Sequence, residues 1–98
     1  MLNAAWMRDI PLPAILPGTA TTVSIGPASV QSATVDSTVV RLVATADCHI
    51  VFGANPTAGP TDTLLLANQP EYFVFTPGQR IAVVQDSATG ILYITPAV

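Results

Sequence analysis

Between residues 20 and 95 the chain never keeps one texture for long. Short runs rich in branched and aromatic residues alternate with clusters of Gly, Pro, Asn, Asp and Ser. The runs are ATTVSI (20–25), SVQSATV (29–35), TVVRLVAT (38–45), CHIVFG (48–53), TLLLA (63–67), EYFVFT (71–76), RIAVVQD (80–86) and ILYIT (91–95). Each has the length of a strand, and the breakers between them leave no room for a helix of ordinary length. About eight short strands at such close spacing predict an all-β fold, a small antiparallel β-sandwich or barrel. One turn can be read in detail. TPGQ (76–79) places Pro and then Gly where a type II turn needs them, with Gly78 at the position of positive φ. The longest link is GANPTAGPTD (53–62).

Residues 40–52 predict which side chains form the core. The even positions are Val40, Leu42, Ala44, Ala46, Cys48, Ile50 and Phe52, all apolar, whereas the odd positions are mixed. Alternate strand residues point to opposite faces, so the even set should face the interior. The link Thr45-Ala46-Asp47 reads as a hairpin loop that sets Ala44 opposite Cys48, Leu42 opposite Ile50 and Val40 opposite Phe52. Asp47 would be the turn residue, able to take the left-handed conformation and to bond nearby backbone donors. A second hairpin is expected from residues 80–86 and 91–95. On this reading Cys48 is a small buried hydrophobe. His49, the only histidine, lies on the opposite face, toward solvent or an interface, where a metal site on a symmetry axis is the alternative. The two cannot jointly bind a metal or act as nucleophile and base.

The rest of the chemistry is sparse. There is no GxSxG elbow, P-loop or GxGxxG motif. A Ser-His-Asp triad would have to combine His49 with Ser24, Ser29, Ser32, Ser37 or Ser87, and no spacing favours one of them. The carboxylates Asp9, Asp36, Asp47, Asp62, Glu71 and Asp86 fall mostly at turns or strand ends. Tyr72 and Tyr93 read as core or interface residues rather than a sugar-binding platform. No catalytic residue, cofactor or metal is therefore expected. A net charge of −3 with three arginines and no lysine gives no basic stripe for nucleic acid. No apolar run approaches the ~18 residues of a membrane-spanning helix. The N-terminus lacks the pattern of a signal peptide, and the single cysteine fits a reducing compartment.

Only 9% of the 98 residues are charged, while 50% are hydrophobic. Ordinary soluble domains carry about 25% charged residues. Such a surface has little charge to keep copies apart, which predicts a homo-oligomer. Residues 1–19 differ from the remainder. Pro11, Pro13 and Pro17 favour extended backbone, and Trp6, Ile10, Leu12, Ile15 and Leu16 make the segment apolar. The sequence divides into an extended N-terminal arm, 1–19, and a β-sandwich domain, 20–98. Those five apolar residues are the candidate contacts to neighbouring subunits.

From Val40 onward, VRLVATADCHIVFGANPTA followed by an apolar segment and EYFVFTPGQRIAVVQDSATGILYIT resembles small structural proteins of tailed bacteriophages. The shared features are the arginine-bearing strand, the DC-hydrophobic-x-FG strand, the PTA loop, the EYF strand, PGQ and a short final hairpin. The resemblance covers somewhat over half of the chain and implies an all-β virion component. It favours a head decoration or cement protein on the capsid surface, with the major capsid protein lattice as partner and a trimer as the oligomer. Tail, fibre or connector roles, or a carbohydrate- or receptor-binding β-module, are the alternatives. It implies no catalytic residues.

Overall fold

The structure, a computed structural model, describes residues 18–97. They form eight strands and no helix: β1 (Thr21–Ile25), β2 (Val30–Gln31), β3 (Val39–Ala44), β4 (Cys48–Gly53), β5 (Thr63–Leu65), β6 (Glu71–Val74), β7 (Arg80–Gln85) and β8 (Gly90–Ala97). Two antiparallel four-stranded sheets face each other. Sheet I has the order β1-β8-β3-β6 and sheet II the order β2-β7-β4-β5. All eight expected strands are present. The second is much shorter than 29–35, because the Ser32 hydroxyl accepts from the Ile81 N–H (2.9 Å) and donates to the Ala33 carbonyl (2.7 Å). A side chain there takes ladder positions from the backbone.

The strand pairing corrects both expected hairpins. β3 pairs with β6 and β8, whereas β4 pairs with β5 and β7. Residues 45–47 are therefore a corner that carries the chain from one sheet to the other. Residues 86–89 do the same between β7 and β8. Ala44 is not opposite Cys48; its register partner is Leu92, while that of Cys48 is Gln85. Of all the links, only β4 to β5 stays within one sheet.

Asp47 is not left-handed either; Asn68 is the non-glycine residue with positive φ (60°) among those described. Asp47 serves the corner differently. Its carboxylate accepts the backbone N–H of Ala67 at 2.8 Å, a partner twenty residues away rather than a local one. The type II turn forms as expected: Gly78 has φ 89°, and the Gln79 N–H donates to the Thr76 carbonyl at 3.2 Å.

Reading alternate positions for the core gave the right faces although the pairing differs. Val40, Leu42, Cys48, Leu65, Ile81, Val83, Leu92 and Ile94 are fully enclosed between the sheets, and Ala44 and Ile50 join them. Ala46, in the corner, is only half-buried, and so is Phe52. Its ring meets Phe73 and Phe75 edge to face, with centroids 5.6 and 5.1 Å apart. The 45–47 corner presses against the start of β8. A Cβ on Gly90 would lie 2.7 Å from Thr45 Oγ1 and 2.9 Å from Ala46 Cβ, so any other residue there would force the corner to shift.

Candidate functional site

The outward faces of the two sheets differ. Sheet II carries the rows Gln31–Ala82–Val51 and Val84–His49–Leu64 on its outer side. The 53–62 loop folds back against this side. Gln31 Nε2 donates to Asn55 Oδ1 (2.7 Å) and to the Pro56 carbonyl (2.8 Å), and the Ala58 N–H donates to Ser29 Oγ (2.9 Å). Asp62 Oδ2 accepts the Gly59 N–H at 2.7 Å, which closes the end of the loop. Ala82, pointing outward, is thereby fully buried.

His49 is part of the same arrangement, and here expectation and structure part. It points away from Cys48, as predicted, but it is neither solvent-facing nor open; 8% of its surface is exposed. Its Nδ1 lies 3.0 Å from the Asp62 carbonyl and its Nε2 2.9 Å from Asp86 Oδ1. A carbonyl oxygen and a carboxylate only accept, so the ring fills both bonds when each nitrogen carries a proton. The Asp62 carbonyl bond and then the Asp86 carboxylate bond raise the imidazole pKa above its ordinary value of 6.5, against the opposing effect of burial. The sequence could not show this, because the two partners lie 13 and 37 residues away.

No serine hydroxyl bonds to either ring nitrogen. Ser32 serves the β2–β7 ladder, and Ser37 Oγ bonds the Ala97 carbonyl at 2.6 Å. Among the described residues no three His, Cys, Asp or Glu side chains are placed to hold a metal ion. Cys48 is sealed in the core. Burial first, and the charge of Asp47 second, push its thiol pKa up to about 11, so it carries little thiolate near neutrality. An open recess of about 190 Å³ lies between the edges of the sheets, lined by Ile50, Val51, Phe52, Asp62, Thr63 and Phe73. It presents one carboxylate over an apolar floor.

Sheet I shows the opposite pattern. Its outer rows are Ser24–Ile91, Thr22–Tyr93–Val43, Thr95–Arg41–Tyr72 and Ala97–Val39–Val74, of which Ala97 is buried. Val74 is 87% exposed, Tyr93 41% and Tyr72 37%. No described loop folds over Val74, Tyr93 and Tyr72 as the 53–62 loop folds over sheet II. The two tyrosines stand in different rows on non-adjacent strands, with β3 between them. Arg41 is the charged side chain in these rows, and among the described residues no carboxylate pairs with it. The sequence carried a signal for this face that the search for core positions passed over. VVRLVA (39–44) and YFVF (72–75) are nearly continuous apolar runs, the pattern of strands covered on both sides rather than one. The candidate contacts Trp6, Ile10, Leu12, Ile15 and Leu16 all lie outside the described residues.

Comparison with protein-family models, with curated proteins and with solved structures finds no match.

Proposed function

We propose that this chain is a structural virion protein of a tailed bacteriophage, a decoration or cement protein that binds and stabilises the assembled head lattice as a homo-oligomer, with a trimer favoured. The observation that carries the reading is the pairing of an open, apolar sheet face with an apolar, proline-punctuated N-terminal segment in a chain with little charge. The motif order from Val40 onward is what points to phages. Prolines pre-set extended backbone, so docking of the segment costs less conformational entropy. Trp6, Ile10, Leu12, Ile15 and Leu16 supply apolar area at roughly 25 cal/mol per Å² buried. An oligomer presents several such segments, and weak single contacts then add through effective concentration. A protein that binds the lattice but not free capsid subunits stabilises the lattice by mass action.

The test is co-sedimentation with assembled heads that lack the protein, beside free capsid subunits as a control. Wild-type protein should pellet with heads and not with subunits, and Trp6→Ala should pellet less. Failure to bind heads would reject the decoration role and move a tail, fibre or connector role to the front.

A further inference from the structure

We propose that the outer face of sheet I is the seat for residues 1–17 of a second copy of this chain. The inference rests on the homo-oligomer part of the reading above and not on the phage lattice.

Three observations converge on it. The first is the face itself. On its β3–β6 side Val39, Val43, Tyr72, Val74 and Tyr93 make it apolar around the single charge of Arg41, with Thr22, Ser24 and Thr95 adding hydroxyls toward β1. The strands beneath it have the composition of a sheet covered on both sides. The equivalent side of sheet II is covered by the chain's own 53–62 loop, and sheet I has no such loop among the described residues.

The second is where the described chain begins. The Gly18 N–H donates to the Pro96 carbonyl at 2.8 Å, and a Cβ on Gly18 would meet the Pro96 ring at 3.1 Å. The chain therefore enters β1 at the end of sheet I where Ala97, Val39 and Val74 form the last outer row. Seventeen residues precede that point. In extended form they reach roughly 50 Å, several times the roughly 14 Å from β1 to β6. They are mostly apolar, and of their one charge pair, Arg8 and Asp9, the Asp9 carboxylate is the partner for Arg41.

The third concerns which copy is covered. To lie on its own sheet the segment would have to reverse just before Gly18. Pro11, Pro13 and Pro17 fix φ, and Ile10, Leu12 and Leu16, each preceding a proline, are pushed toward extended backbone. Six of the eight positions from 10 to 17 thus favour a chain that runs onward. An onward course carries the segment off its own sheet and onto a neighbour.

The test is complementation between two full-length variants followed by sedimentation velocity. One carries Trp6→Asp and Leu12→Asp, which spoil the segment. The other carries Val74→Asp, which spoils the face at a side chain already 87% exposed. Wild type should sediment as an oligomer and each variant alone as a monomer. An equimolar mixture should recover a heterodimer, since the second variant still has a sound segment and the first a sound face. Tyr72→Asp gives an independent face variant should Val74→Asp not fold, as judged by circular dichroism. A monomeric wild type, or variants that keep the oligomer, would overturn the proposal. So would two monomeric variants whose mixture stays monomeric, because the segment would then cover its own sheet. Head binding is scored separately, so an oligomer that assembles in this way but ignores heads would reject only the decoration role.

Discussion

His49 Nε2 and Asp86 Oδ1 lie 2.9 Å apart and join β4 to the corner that follows β7, while the other ring nitrogen holds the end of the 53–62 loop. Both acceptors favour the doubly protonated ring, and the folded-state pKa is raised. The stabilisation is therefore fully present below the ordinary histidine value and is lost as pH rises through the folded one. Thermal melts of wild type and His49→Gln should differ more at pH 5.5 than at pH 8.5. Removing the ring should cost about 1–2 kcal/mol at the lower pH, below the usual value for charged hydrogen bonds because Asp86 is half exposed. A gap that does not change with pH would show that folding leaves the imidazole pKa where it is in the unfolded chain. The groups facing it are the Asp62 carbonyl and the Asp86 carboxylate.

Cys48 should react slowly in the native protein and rapidly once denatured. It is fully enclosed, and its thiol pKa is pushed up to about 11. Labelling with a chromogenic disulfide reagent, with and without guanidinium, measures the ratio. Rapid native labelling would mean that the two sheets part easily at β4.

Gly90→Ala should destabilise the fold by about 1–3 kcal/mol, the usual range for overpacking. Its new methyl would meet Thr45 Oγ1, Ala46 Cβ and the Ala46 backbone nitrogen within 3.2 Å. Gly26→Ala is the control, since nothing lies within 4 Å of a Cβ there, and it should be nearly neutral. Urea titration of the two variants decides the matter.

Leu42→Ala should cost more than Phe52→Ala, although phenylalanine loses more atoms. Leu42 is completely enclosed, whereas Phe52 borders the open recess between the sheet edges. About 3–4 kcal/mol is expected for Leu42 and about 2 for Phe52, below the fully buried range. Equal losses would show that the recess closes over Phe52 in solution.

These cases also show what could be read from the sequence and what could not. Alternation marked Val40, Leu42, Cys48 and Ile50 as core because a period of two depends only on which side of a strand faces inward. It cannot say whether two successive strands are neighbours in one sheet or face each other across the core. Residues 45–47 fit either arrangement, and the choice is made by distant partners, Ile94 and Leu92 for β3 and Val84 and Val83 for β4. Turn chemistry at Gly78 was legible because it is local. The cover over His49 was not, since it arrives from a loop and a corner far along the chain.

The Gly18 to Pro96 bond has a mechanical consequence. Consider a pull on the N-terminal segment directed along the axis of β1. The bonds of an antiparallel ladder run across that axis, so the load falls on them in shear. The paired positions from Thr21↔Ile94 to Ile25↔Gly90 must then give way together, not one after another as in a zipper opened from its end. A tether pulled in that direction would hold tension while the sandwich behind it keeps its shape.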